Sequence, residues 1–232
     1  MMVSERADKS GWNREYWLRP WPRHAIRIST LPHSEIKQNM NKPSDPHPQH
    51  IDAILREADL LHTPEQIRLA YDRVAAAITE TLTGNPGRYV NPLVLVVPIG
   101  GFFPGAEIIS RLDFPLEVDY IHATRYRGGT TGGELEFPVR PRTSLQGRPV
   151  IIIDDILDEG LTLAAIVDFC RTGGASEVFS AVLAEKEHNR KPAIQHADFT
   201  GLTVEDRYVF GCGMDYKGYL RNVTGIYAVK GL

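Results

Sequence analysis

The chain has few of the features that mark several large classes of protein. It has only two cysteines, Cys170 and Cys212, so it has neither a dense disulfide framework nor the paired cysteines of a zinc site. No apolar run approaches the ~20 residues that span a bilayer, and the N-terminus lacks the apolar stretch of a signal peptide. We therefore expect a soluble protein of the reducing cytoplasm.

An excess of basic charge is also missing. The sequence has 26 Lys and Arg residues against 29 Asp and Glu residues, a formal net charge of -3. This balance gives no general attraction to nucleic acid or to an anionic membrane, and no local basic patch is visible. No Gly-x-Gly-x-x-Gly follows a strand, which argues against a dinucleotide-binding oxidoreductase. We expect small-molecule partners, with neither nucleic acid nor membrane among them.

The first 50 residues differ in composition from the rest. They mix tryptophan and arginine without a helical or strand period, and they end in a proline-rich stretch. We predict a poorly ordered extension over residues 1–50 and one domain over residues 51–232. One alternative is that translation begins at Met40. Another is a tail that packs through its three tryptophans.

A helix with clear boundary signals follows the extension. Thr63 is placed to cap it, Pro64 takes the first helical position, and Gln66 completes a capping box. Apolar residues then recur at helical spacing up to Leu82. The pattern predicts an amphipathic helix that covers a core.

Strand-like and helix-like segments alternate through the centre of the chain. The predicted strands are 93–99, 116–126, 148–157 and 176–186, with helix-like sequence after the first and at about 161–172. This alternation predicts a mostly parallel α/β sheet with helices on both faces, and ligands then bind at the carboxyl ends of the strands. Beyond Lys186, DFTGLTV, RYVFGCG and GIYAVK predict a small strand-rich extension beside the sheet.

The strongest chemical signal is VIIIDDILDEGLT, at residues 150–162. An apolar strand leads into acids, a turn and a new helix near Thr162, and such a turn can hold a phosphate on backbone N–H groups. The acids need a separate role, for which sugar hydroxyls and a magnesium ion are the candidates. The alternative is a helix-capping turn with a solvated acidic corner.

This stretch resembles the phosphoribosyl-pyrophosphate signature of the type I phosphoribosyltransferases. The resemblance extends over about residues 51–230, and the branch it suggests is the hypoxanthine-guanine phosphoribosyltransferases. It implies that family's fold, with the strand-rich extension binding the base. It also implies purine salvage by magnesium-dependent transfer of ribose 5-phosphate from 5-phosphoribosyl 1-pyrophosphate to a 6-oxopurine, in a homodimer or homotetramer.

The resemblance implies a set of residues that bind the phosphoribosyl donor. PIGG, at 98–101, matches the family's pyrophosphate loop, although Ile99 stands where the family often carries lysine. A cis peptide is common in that loop, and Glu159 departs from the family's usual threonine or serine. The implied donor-binding residues are Gly100, Gly101, Asp154, Asp155, Asp158, Glu159, Gly160, Leu161, Thr162 and Arg221. The implied metal ligands are Asp154, Asp155 and Asp215.

The resemblance also implies roles on the base side. Lys186 would donate to the purine 6-oxo group, Tyr208 would stack on the base, and Val209 and Asp215 would read its edge. Asp158 is the implied general base, which takes the purine N7 proton or stabilises the positive charge that develops. Considered singly, Lys186 is more typical of a surface lysine and Tyr208 of a core aromatic.

A glycine-rich segment completes the resemblance. RYRGGTTGGELEF, at 125–137, is similar to the family's mobile active-site loop, with Arg125 and Tyr126 at its start. Closing such a loop would shield the reacting centre from water. A plain disordered loop is the alternative.

Two other functions stay open on the sequence. A xanthine-preferring transferase would use the same donor site and differ near Asp215. A non-catalytic nucleotide-sensing regulator on the same fold is the second, although such a protein would be expected to show a basic face.

Overall fold

The computed structural model of the chain describes residues 48–84, 91–125, 135–188, 190 and 193–231. All of these belong to one compact unit, Pro46–Leu232. The helices are α1 (Pro48–Glu57), α2 (Pro64–Thr83), α3 (Phe102–Ile109) and α4 (Leu161–Thr172). The strands are β1 (Asp59–His62), β2 (Leu93–Val96), β3 (Glu117–Tyr120), β4 (His122–Arg125), β5 (Leu135–Val139), β6 (Pro149–Leu157), β7 (Glu177–Glu187), β8 (Phe199–Glu205), β9 (Val209–Phe210) and β10 (Ile226–Ala228).

The N-terminal boundary differs slightly from the prediction. Helix α1 already begins at Pro48, so the last three residues of the predicted extension are helical. The rest of that extension, with the alternative start at Met40 and the tryptophan packing, lies outside the described residues. None of the described helices is long and apolar enough to cross a bilayer.

Helix α2 confirms the capping signals. Thr63 Oγ1 accepts a hydrogen bond from Gln66 N at 3.3 Å, and Gln66 Oε1 accepts one from Thr63 N at 2.9 Å. These bonds satisfy two of the amides that a helix start leaves without partners. The apolar face is buried as predicted, through Ile67, Tyr71, Val74, Ile78 and Leu82.

The central sheet is fully parallel, with strand order β3-β2-β6-β7-β8. Side chains of β6 alternate between its two faces. Ile151 and Ile153 pack with Ile78 of α2 on one face, whereas Ile152 packs with Ile166 of α4 on the other. Helices therefore cover both faces, as the apolar strands predicted.

One strand prediction is wrong. DFTGLTV does not join the small extension, because it forms β8, which pairs in parallel with β7. The sequence between them has no long helical pattern, which favours the end of the main sheet at β7. Burial shows why the strand stays in the sheet, since Phe199 and Val204 lie in the core beside α2.

The small sheet is built from strands other than those expected. Its strands are β1, β10 and β9, in that order and antiparallel, so its outer strand comes from before α2. The predicted strand 116–126 is also divided, because β3 belongs to the parallel sheet and β4 pairs with β5 in a separate antiparallel ribbon. Strands β4 and β5 thus flank residues 126–134.

Candidate active site

One cleft lies at the carboxyl ends of β2, β6 and β7, the edge at which parallel α/β sheets bind ligands. Its volume is about 610 Å³. The sequence-predicted site residues that line it are Gly100, Asp154, Asp155, Asp158, Glu159, Gly160, Leu161, Thr162, Lys186, Tyr208, Val209, Asp215 and Arg221.

The start of α4 forms the phosphate-binding end of this cleft. Gly160 has a left-handed conformation (φ 70°, ψ 5°) and is the N-cap, and its carbonyl accepts from Ala164 N at 2.8 Å. A glycine cap has no side chain to satisfy the amides of Leu161 and Thr162, which begin the helix. These amides and the positive helix end suit an anion.

We expect Gly160→Ala to weaken phosphate binding more than it weakens the fold. A Cβ there would lie 2.9 Å from both the backbone N and O of Ile194, so the turn must shift. Gly147→Ala is the matched control, because Gly147 has φ 69° with no atom within 4 Å of the added Cβ. Both variants should lose about 1 to 2 kcal/mol of stability from the left-handed backbone. Only Gly160→Ala should raise the dissociation constant for inosine 5′-monophosphate in calorimetry, and equal affinities would contradict the assignment.

Two adjacent carboxylates occupy the floor of the cleft. Asp155 N donates to Asp154 Oδ1 at 2.9 Å, and Asp155 Oδ2 lies 3.8 Å from Arg221 Nη1. Removal from water, and then the charge of Asp155, raise the pKa of Asp154 well above its ordinary value. Burial likewise raises the pKa of Asp155. A cation or hydroxyl donors from a ligand would relieve this crowding.

Asp154→Asn is expected to stabilise the ligand-free fold while it lowers activity. The amide keeps the shape of the side chain and removes one of two crowded charges. Two like charges about 4 Å apart repel by about 1 kcal/mol even in water. We expect a gain of at least that size in the free energy of unfolding in urea at pH 7. Asp119→Asn provides a comparison of opposite sign, because Asp119 accepts backbone N–H bonds from Tyr120, Arg142 and Thr143. A loss of stability in Asp154→Asn would show that the pair is not strained.

The PIGG loop contributes one of its two predicted glycines. Gly100 lines the cleft, and a Cβ there would lie 1.9 Å from Asp155 Oδ2, so only glycine permits this approach. The prediction for Gly101 is wrong, because its N–H donates to Val97 O at 2.9 Å and cannot face a leaving group. The Pro98–Ile99 peptide bond is cis, as is common in the family that the sequence resembles. Ile99 is 58% exposed.

Asp158 lies in the turn after β6 and is held by cations. Its Oδ2 accepts from Lys186 Nζ at 2.9 Å, and its Oδ1 accepts from Arg190 Nη2 at 2.6 Å. Burial raises the pKa of Asp158, but the hydrogen bonds from Lys186 and Arg190 outweigh it and hold the pKa below its ordinary value. In the ligand-free protein Asp158 is therefore an ionised carboxylate. Lys186, the predicted base-binding lysine, is only 12% exposed.

Sequence reasoning missed three residues beside Asp158. Arg190 also contacts Asp206, with Nη1 2.7 Å from Oδ2 and Nη2 3.0 Å from Oδ1. His188 Nε2 lies 3.2 Å from Asp158 Oδ1, outside hydrogen-bonding geometry, and its side chain is 4% exposed. These residues lie in irregular segments without a periodic pattern, so only the paths of β7 and β8 bring them to Asp158.

The segment from Tyr208 to Arg221 covers the other side of the cleft. Tyr208 is 42% exposed, and its ring meets that of Tyr216 edge-on at 5.4 Å. Val209 is buried at the start of β9. Arg221 donates to the Gly213 carbonyl and lies 2.6 Å from Asp215 Oδ1.

The predicted set of three metal ligands is not assembled. Asp215 Oδ2 accepts from Gly218 N at 2.6 Å while Oδ1 pairs with Arg221, so its carboxylate is engaged within its own loop. Within the described ranges, no group of three or more His, Cys, Asp or Glu side chains is placed to hold a metal ion. Asp154 and Asp155 line the cleft as an adjacent acidic pair.

The predicted mobile loop cannot be compared with the structure. Arg125 ends β4, and Tyr126 lies outside the described residues. Glu159 stands where the family usually has threonine or serine. Its side chain is 47% exposed, and its carboxylate lies 3.9 Å from Arg190 Nε. That position near a cation offsets the extra charge beside the phosphate site.

Known proteins are similar to this chain over most of its length. The model of the phosphoribosyl transferase domain matches residues 61–217. The hypoxanthine-guanine-xanthine phosphoribosyltransferase of Tritrichomonas foetus is 29% identical over 171 residues, 74% of this chain and 91% of that protein. The hypoxanthine-guanine phosphoribosyltransferase of Bacillus subtilis is 31% identical over 172 residues, 73% of this chain and 95% of the relative.

A solved structure shares the fold. The crystal structure of a hypoxanthine phosphoribosyltransferase from Staphylococcus aureus has a TM-score of 0.69 at 26% identity, and the match covers 77% of this chain and 95% of that one. The parallel sheet and its cleft therefore have the type I phosphoribosyltransferase fold. The chain belongs to the phosphoribosyltransferase family.

Proposed function

We propose that this protein is a purine-salvage hypoxanthine-guanine phosphoribosyltransferase. It would transfer ribose 5-phosphate from 5-phosphoribosyl 1-pyrophosphate to N9 of hypoxanthine or guanine, giving the nucleoside monophosphate and pyrophosphate. The observation that carries the proposal is the single cleft in which the acidic turn of β6, the start of α4, Lys186 and Tyr208 meet. Relatives of this activity match the chain over most of their own length.

The donor half of the cleft follows from the local structure. The first-turn amides of α4 would hold the 5-phosphate, because a helix start presents unpaired donors and a positive dipole end. Asp154 and Asp155 would accept hydrogen bonds from the ribose hydroxyls. Arg221, which lies 3.8 Å from Asp155, would face the pyrophosphate.

Magnesium fits the acidic pair as a partner of the donor. Two crowded carboxylates with raised pKa values suit a bound cation. Magnesium commonly binds through one or two carboxylates together with substrate phosphates and water, so a third protein ligand is unnecessary. When bound, it would neutralise charge that develops on the leaving pyrophosphate.

The base half of the cleft orients and deprotonates the purine. Tyr208 would stack on the ring, while the Val209 backbone and Asp215 would read its edge. Lys186, whose side chain is 12% exposed, would donate to the 6-oxo group, and a 6-amino analogue would offer this cation no acceptor on the base. As N9 bonds to the sugar carbon and pyrophosphate departs, Asp158 would take the N7 proton or stabilise the positive charge. Closure of the segment that begins at Arg125 and Tyr126 would exclude water from this step.

Two further properties form part of the proposal. Both cysteines are unpaired and buried, which suits a reducing cytoplasm. Exposed apolar side chains lie together at the start of α3, with Phe102 50% and Phe103 37% exposed beside Ile99. Such a patch suits self-association into a homodimer or homotetramer, which light scattering after gel filtration would measure.

A turnover screen tests the proposal. Hypoxanthine, guanine, xanthine and adenine are each incubated with the donor, with magnesium and with excess chelator, and nucleotide formation is followed. We expect products from hypoxanthine and guanine only when magnesium is present, and none from adenine. A dominant product from xanthine would favour the xanthine-preferring alternative. No turnover together with nucleotide or RNA binding would replace the enzyme by a regulator.

A further inference from the structure

Both oxygens of Asp158 are held in the ligand-free protein, and by different partners. Lys186 contacts Oδ2, whereas Arg190 contacts Oδ1. Arg190 is itself fixed, since its two terminal nitrogens reach both oxygens of Asp206 at 2.7 and 3.0 Å. The planar guanidinium therefore bridges two carboxylates from different elements, one after β6 and one after β8.

We propose that Arg190, braced by Asp206, is a positioning residue that holds the general base Asp158 by Oδ1 and leaves Oδ2 for the purine. The inference rests on the proposed function, because that function makes Asp158 the base. It adds a task for two residues that do not line the cleft wall. Neither residue need touch the substrate.

The need for such a residue follows from the two tasks of Lys186. The same ammonium that contacts Asp158 Oδ2 at 2.9 Å is required by the purine 6-oxo group. When the purine draws Lys186 away, Asp158 loses one of its partners and its side chain could rotate. Arg190 stays bonded to Oδ1. Its planar, forked donors hold the orientation of the Asp158 carboxylate as well as balancing its charge.

The other charged groups around Asp158 do not supply this contact. Lys186 Nζ reaches Asp206 only at 4.0 Å, and Glu159 Oε1 lies 3.9 Å from Arg190 Nε. His188 Nε2 is 3.2 Å from Asp158 Oδ1 without hydrogen-bonding geometry. Among the described residues, Arg190 is thus the donor that bonds Oδ1.

A role in folding alone predicts something different. Arg190 is 43% exposed and Asp158 41% exposed, and ion pairs this open to solvent contribute little to stability. Removing Arg190 should therefore leave the melting temperature unchanged. A large effect on turnover without an effect on melting would come from the position of the base.

The experiment compares Arg190→Gln with Arg190→Lys, with Asp206→Asn and with the double variant that carries both Arg190→Gln and Asp206→Asn. Arg68→Gln is the matched control, because Arg68 on α2 also bridges two acids, Glu65 and Asp72, away from the cleft. For each protein we would measure kcat, the donor dissociation constant, the melting temperature and kcat/KM for hypoxanthine against pH. Wild-type turnover must be established first, since its absence would reject the proposed function and not this inference.

We expect Arg190→Gln to lower kcat roughly tenfold, because a misplacement of 1 Å can cost about a hundredfold and a side chain still held by Lys186 until the purine binds is displaced by less. The acid limb of the pH profile should move to higher pH, since losing a cation makes Asp158 easier to protonate. Arg190→Lys should restore the limb and part of kcat. The double variant should be no slower than Arg190→Gln, because Asp206 acts through Arg190. An unchanged kcat and acid limb, or a loss of kcat with an unmoved limb and a lower melting temperature, would overturn the inference.

Discussion

Asp158→Asn is expected to lower kcat about 100- to 10,000-fold, the range that general acid-base groups contribute. The amide has nearly the shape of the carboxylate but cannot take the N7 proton. It also cannot accept from both Lys186 and Arg190, because one of its ends is now an NH₂ donor. The loss should therefore lie in turnover, with little change in donor affinity.

The fold should survive this substitution. Asp158 lies in a turn and is 41% exposed, so no core contact is removed. Asp168→Asn, on the exposed side of α4, is the control for the chemical change. Steady-state rates with hypoxanthine and circular dichroism of both variants provide the comparison. A kcat within threefold of wild type would remove Asp158 from the role of base.

Lys186→Met is expected to change the choice of base more than the binding of the donor. The lysine is nearly buried and is assigned to the purine oxygen, whereas the phosphate and ribose belong to the β6 turn and α4. Truncating a charged donor to a buried acceptor costs about 1.5 to 3 kcal/mol, or roughly ten- to two-hundredfold in kcat/KM for hypoxanthine and guanine. Adenine should gain relative to them, because the cation that rejects it is gone.

The structure adds a second expectation for this variant. Losing Lys186 removes one of the two cations that hold the pKa of Asp158 below its ordinary value. The acid limb of kcat/KM should therefore move to higher pH in Lys186→Met. Lys230→Met, an exposed lysine far along the chain, is the control. An unchanged hypoxanthine-to-adenine preference, or a loss confined to donor affinity, would move Lys186 out of the base site.

Much of the donor half could be predicted because it is local in sequence. The apolar run of β6, the acids, Gly160 and the start of α4 lie within residues 149–162, so the turn that they form depends on short-range geometry. The capping box of α2 is local for the same reason. Each of these features follows from neighbouring residues and needs no knowledge of the rest of the fold.

The errors concern contacts between distant segments. Placing β8 inside the sheet would have required knowing that an irregular connection joins it in parallel to β7. The N–H of Gly101 was predicted to be free, but the carbonyl of Val97 accepts its hydrogen bond. Grouping Asp215 with Asp154 and Asp155 ignored Arg221 and Gly218, which engage its carboxylate.

The ion pairs around Asp158 show the same limit. Arg190 and Asp206 follow Asp158 by 32 and 48 positions, and no pattern in either segment marks them. They meet only because β6, β7 and β8 are consecutive in the sheet and end at the same edge. Their chemistry was readable from residue type, but their partners depended on strand order.

The most direct test of the account is the stoichiometry of one reaction. Purified protein is mixed with hypoxanthine, 5-phosphoribosyl 1-pyrophosphate and magnesium, and inosine 5′-monophosphate and pyrophosphate are measured together. The account predicts that the two products form in equal amounts as hypoxanthine is consumed, and that Asp158→Asn slows both at least about a hundredfold. Hypoxanthine recovered unchanged, or pyrophosphate released without the nucleotide, would contradict it.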